Sequence, residues 1–132
     1  MNLKKFDSVN TVATGRGKMT ISFNHSGVIA ISGKACEAMG VESTVCLYKD
    51  EDSERDWYVM PDGPDGFHLR KNTTKGSGSA FNSTPLARQV LLDLDWNEKK
   101  AAICRIVPNP VEVKGVGRLY PILISSARKP EL

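Results

Sequence analysis

The chain has 132 residues, of which 40% are hydrophobic and 25% charged, the balance of one folded globular domain and not of a disordered chain. No apolar run approaches the roughly 18 residues of a membrane span, and none follows the basic start Met1–Lys5, so the expectation is a cytoplasmic protein without membrane contact. Net charge is +3 but unevenly spread: residues 1–20 hold four Lys or Arg against one Asp, residues 21–65 three against nine acids, and residues 66–132 eleven against five.

In chain order, residues 1–17 read as a polar, flexible arm ending in Gly15-Arg16-Gly17, with Lys18 at the domain boundary. Met19 to Phe23 alternates with period two, as a half-buried strand does, and Asn24 to Gly27 supplies turn chemistry before a second strand, Val28 to Ile31. Ser32 is placed to cap a short helix over 33–39, and Gly40 to stop it in the left-handed conformation. Thr44 to Tyr48 reads as a strand, residues 49–56 as a charged, exposed hairpin loop, and Trp57 to Met60 as the returning strand. A double turn signal over 61–66 leads to a strand at Phe67 to Arg70, then to a flexible connection over 71–79 rich in Gly, Ser and Thr.

Thr84 as N-cap and Pro85 in the first helical position open a second helix to Leu94, with Leu86, Val90, Leu91 and Leu94 as its apolar stripe. Two late strands follow, Ala101 to Val107 and about Arg118 to Ile124, with a short edge strand at Val111 to Val113. The fold class expected is α+β: a mainly antiparallel sheet of about seven strands with two short helices, in the order ββαβββ–loop–α–ββ. One domain spans 18–125, between the arm and a loose tail at 126–132.

Catalytic and metal-binding patterns fail at named positions. Gly17-Lys18 is followed by Met19 and lacks the leading glycine of a P-loop, because position 12 is Val. Phe81 and Tyr120 stand where the third glycine of a dinucleotide fingerprint belongs. A calcium loop begun at Asp50 would need Gly at its sixth position and Glu at its twelfth, where Arg55 and Pro61 stand. Cys36, Cys46 and Cys104 are too widely spaced for a zinc site and read as small apolar residues. His25 and His68 lie far apart in sequence, so the expectation is a protein with no catalytic residue, no metal, no cofactor and no small-molecule substrate.

A binding constellation remains. Arg16 and Lys18 sit at the Gly-flexible end of the arm, Arg70, Lys71 and Lys75 border the polar connection, and Lys99, Lys100 and Arg105 precede or enter a late strand. Phe23, Trp57, Tyr58, Phe67 and Tyr120 lie on or beside strands, and sheet-borne aromatics between Lys and Arg commonly hold nucleic-acid single strands. In Trp57-Tyr58 the two rings must face opposite sides, so one is core and the other exposed.

The segment from Met19 to Tyr48 runs as a strand, Gly27, Val28-Ile29-Ala30-Ile31-Ser32, a short helix ending Met39-Gly40-Val41, and a further strand. It resembles the AbrB/SpoVT-type swapped-hairpin DNA-binding unit, in which a G-x-[IV]-x-[IV]-P strand leads to a helix ending L-G-[IV]. Ser32 stands where that family has Pro, and Lys18 and Lys34 are the cations of the segment. The resemblance implies an intertwined homodimer that binds duplex DNA through Lys18 and Lys34. The element order is also similar to that of the Whirly and positive-coactivator group of single-strand binders. The expected function is therefore non-enzymatic nucleic-acid binding by a homo-oligomer, through Arg16, Lys18, Lys34, Arg70, Lys71 and Lys75. The alternative is a protein-interaction or assembly module of a phage particle or other large complex.

Overall fold

The computed structural model describes residues 18–52, 56–71 and 78–129. The expected arm at 1–17, with Arg16, lies outside the described residues, as do Lys75 and residues 130–132. Among the described residues, ten strands and two helices follow in the order β1 (Thr20–Phe23), β2 (Val28–Ile31), α1 (Gly33–Met39), β3 (Thr44–Lys49), β4 (Trp57–Pro61), β5 (Phe67–His68), β6 (Arg70–Lys71), β7 (Ser79–Asn82), α2 (Thr84–Asp93), β8 (Ala102–Ile106), β9 (Val111–Val113) and β10 (Gly117–Arg128). The class is α+β as expected, with ten strands instead of about seven. Every strand pairing among the described residues is antiparallel.

The strands lie side by side in the order β5-β3-β4-β10-β8-β1-β2-β7-β6, with β9 attached to β10 off this path. Its two ends, β5 and β6, are separated in the chain by Leu69 alone. A sheet whose extreme strands are joined by one residue must curl on itself, and the result is a nearly closed barrel. Phe67 on β5 stacks on Phe81 of β7 across the seam, with ring centroids 4.6 Å apart and planes inclined by 16°. Here the expected strand from Phe67 to Arg70 is corrected: it divides at Leu69, because its two halves serve opposite edges of the sheet.

Two further corrections concern strands. Ser79–Asn82 forms β7 where the end of a polar connection was expected, and it exists because β2 offers it an open edge from Val28 to Ile31. The last strand runs on to Arg128, past the expected tail boundary. Its register on β8 jumps between Leu123 and Arg128, a bulge that bends the strand around the barrel wall. Ser126 fills the bulge, its hydroxyl donating to the Leu123 carbonyl and accepting from the Arg105 N–H at 2.9 Å.

Alternation along the strands sends Ile21, Phe23, Ile29, Ile31, Val45, Val59, Cys104 and Ile122 into one core. Each helix covers one mouth of the barrel. α1 leaves from the Ile31 end of β2 and buries Ala35 and Met39. α2 leaves from Asn82, which pairs with Val28 at the opposite end, and buries Ala87, Val90 and Leu91. Ser83, not Thr84, is the N-cap of α2 and accepts from the Leu86 N–H. Both residue types cap well, so only the backbone, extended at Ser83, decides between them.

Two carboxylates tie distant elements together. Asp93, in the last turn of α2, accepts from Trp57 Nε1 at 2.8 Å and pairs with Lys49 Nζ at 2.7 Å. Lys49, expected in the exposed loop, instead ends β3, and its ammonium lies 5.7 Å from the centre of the Trp57 ring. Asp62 accepts from the successive backbone N–H groups of Glu42, Ser43 and Thr44 at 2.9–3.2 Å, an anion nest filled from within the chain.

Partial burial pushes both carboxyls upward. At Asp62 the three backbone donors outweigh it, and at Asp93 donation from Lys49, Trp57 and Gln89 with the Lys49 charge does so; both end below the usual carboxyl range. A folded-state value below the unfolded one means that the unfolded chain takes up more protons in acid. The stabilisation is therefore complete above about pH 4 and drains away as pH falls through the depressed folded-state values. Urea unfolding between neutral pH and strong acid should show this decline, and Asp62→Asn and Asp93→Asn should each make it shallower while lowering stability at neutral pH.

Candidate functional site

The charge imbalance of the sequence becomes a division in space. Residues 8–36 and 66–92 contain no Asp or Glu, whereas residues 37–65 hold nine. The two acid-free stretches supply β1-β2 and β6-β7, which are neighbours in the barrel. Thus β6, β7, β2 and β1 form one quadrant without a carboxylate, and the acid-rich stretch builds the β3-β4 hairpin and the turn after it.

Lys18, Lys34, Arg70 and Lys71 all meet this quadrant and are exposed. Lys71 pairs with Ser79, Ser79 with Ile31, and Ile31 with Ile21, so the row that holds Lys71 ends beside the segments that carry Lys34 and Lys18. Two strand spacings, roughly 10 Å, separate Lys71 from the β2–α1 corner that carries Lys34. Gly78 lies against the same corner: a β-carbon there would come within 2.6 Å of the Ile31 carbonyl oxygen, so only glycine allows the approach.

Ser32 organises the corner. Its hydroxyl oxygen accepts from Ala35 N–H at 3.2 Å as the N-cap of α1 and from Thr20 N–H at 3.0 Å, and its O–H donates to the Lys18 carbonyl at 3.0 Å. One side chain fixes both cationic segments, Lys18 before β1 and Lys34 in the first turn of α1. A proline at 32 has no hydroxyl and could make none of these bonds.

Of the other members of the sequence constellation, Arg105 borders the quadrant, and Lys99 and Lys100 do not join it. Arg105 projects from β8, paired with Thr20, while Lys99 and Lys100 precede β8 at the opposite mouth. Phe23, Trp57 and Tyr120 are buried in the core and Tyr58 is half-buried; Phe67 is the most exposed aromatic among the described residues, at 37%.

At the far mouth, a groove of about 290 Å³ is lined by His25, Arg88, Leu91, Leu92, Asp95, Trp96 and Asn97. His25 Nε2 is hydrogen-bonded to the Glu98 carbonyl at 2.9 Å, and Trp96 Nε1 donates to the Lys100 carbonyl. Leu92 stands 74% exposed beside it. Sequence reading missed this groove because its residues come from a turn, a helix and a loop that meet only in the fold. His68 is exposed on β5, away from His25. Burial pushes the Cys104 thiol up to about 12, which keeps it protonated and without nucleophilic character at neutral pH. Among the described residues, no three His, Cys, Asp or Glu side chains converge as metal ligands, and no helix is long and apolar enough to cross a membrane.

Compared with protein-family models, curated proteins and solved structures, the chain matches none.

Ser32→Ala should cost about 1–2 kcal/mol in urea unfolding, the magnitude of a lost N-cap. Gly78→Ala should also destabilise the protein, since the added carbon meets backbone that cannot swing aside.

Proposed function

We propose that the protein binds nucleic acid through the carboxylate-free quadrant, with Lys18, Lys34, Arg70 and Lys71 as phosphate contacts. The observation that carries this reading is the adjacency of the two acid-free segments: no Asp or Glu on β1, β2, β6 or β7 opposes a polyanion. Arg16 and Lys75 belong to the same reading through sequence alone, two residues before Lys18 and four after Lys71. Such contacts are sequence-blind and give affinity without a catalytic step. The reading fits a cytoplasmic, non-enzymatic binder.

The resemblance to the swapped-hairpin unit suggests a homodimer. Within one chain, β1 pairs with β8 and β2 with β7 on the outer edges of the β1-β2 hairpin. The alternative, a protein-interaction or assembly module, is favoured by one observation, the exposed Leu92 beside the far groove. Size-exclusion chromatography with light scattering separates the two: a large defined oligomer without DNA affinity supports assembly.

In a binding assay titrated with salt, the logarithm of affinity should fall linearly with the logarithm of salt concentration. Replacing Arg70 and Lys71 together by Gln should reduce that slope by about 2, one for each lost phosphate contact. Absence of binding to both single- and double-stranded DNA at about 50 mM salt overturns the proposal.

A further inference from the structure

Phe67 sits on the same five-residue strap as Arg70 and Lys71. One face of its ring is stacked on Phe81, which is 2% exposed and therefore held firmly by the core. Phe67 is nevertheless 37% accessible as a residue, the most of any Phe, Tyr or Trp among the described residues. A ring pinned in this way has little freedom left to lose when another planar group stacks on it. Arg70 and Lys71 follow three and four positions along the strap, roughly 10–13 Å away at strand rise. Arg70 and Lys71 are consecutive on β6 and leave opposite faces, so a short stretch of nucleic acid on the ring meets one of the two.

We infer that this strap is a stacking platform for an unpaired base, and that the protein prefers single-stranded nucleic acid to duplex. The inference rests on the nucleic-acid reading above and adds the substrate class. In a duplex each base is stacked between its neighbours and offers the protein only its edge, so an aromatic face gains nothing from it. In a single strand the base can leave its neighbours and extend the Phe81–Phe67 stack by one more ring, while a cation of the strap, Arg70 or Lys71, holds a flanking phosphate. Because every base has a π-face, the platform selects for strandedness and hardly for sequence.

The test is fluorescence anisotropy with a short labelled oligothymidine and a labelled DNA hairpin duplex of matched charge, on the full chain and its variants. The unchanged protein should bind oligothymidine more tightly. Phe67→Leu, which keeps apolar contact with Phe81, should weaken oligothymidine binding about tenfold, the value of one lost base–aromatic stack, and leave duplex binding unchanged. Phe67→Tyr should retain the preference, and circular dichroism of both variants should match the parent. If oligothymidine and duplex bind equally, or if Phe67→Leu lowers both affinities alike, the stacking platform is overturned while the nucleic-acid reading stands. If neither binds at about 50 mM salt, both fall.

Discussion

The stack of Phe67 on Phe81 and the single-residue step at Leu69 hold the two ends of the sheet together, and the architecture follows from that seam. An open sheet of this size would present a row of unpaired N–H and C=O groups at each edge, a hazard for pairing with other chains. Here β5 covers the free edge of β3, β6 covers that of β7, and Leu69 carries the chain between them. Leu69 itself packs against the core and donates its N–H to the Ser43 carbonyl at 2.9 Å. The strap is short, so closure leaves most of its residues exposed, namely Phe67, His68, Arg70 and Lys71. The fold's closing device and its candidate binding surface are thus the same segment.

A barrel wall alone leaves two open mouths over an apolar interior. The helices close them, and each is fixed by polar side chains whose partners are distant in sequence. Ser32 anchors α1 to the segment that enters β1. Asp93 anchors α2 to Trp57 and Lys49 on the other side of the barrel. These bonds are individually worth about 1–3 kcal/mol and cannot match the burial of the core in magnitude. Their role is orientation: without them the apolar stripes of the helices could settle in more than one register over the mouths.

Much of the local structure was legible because local chemistry decides it. The β1-β2 hairpin, α1 with Ser32 and Gly40 at its ends, and the β3-β4 pair follow from alternation, turn residues and capping groups within a few positions of each other. The strand β7 was not legible, since Ser79-Ala80-Phe81-Asn82 has only two apolar residues and becomes a strand through its pairing with β2. The place of Lys49 at the end of β3 is not legible for a similar reason: its neighbours are acidic and solvated, but its partner Asp93 lies far along the chain. Of the candidate site, the cation positions were legible as residues and their grouping was not. Phe67 could not be told apart from Phe23, Trp57 and Tyr120, because period-two alternation does not say which ring lies at the seam of a barrel.

The sequence by itself determined the class of fold, the local pairings, both ends of α1, and the uneven distribution of charge along the chain. It did so because periodicity, turn chemistry and composition act over short distances that a single chain displays directly. Tertiary structure decided that the sheet closes, that the strand at 67–71 is shared between two edges, and that the two acid-free stretches become neighbours. These depend on which strand edges remain unpaired once the hairpins have formed, a quantity set by long-range geometry and absent from any local window. The same geometry turns a modest net charge into a carboxylate-free quadrant with one exposed aromatic ring beside it.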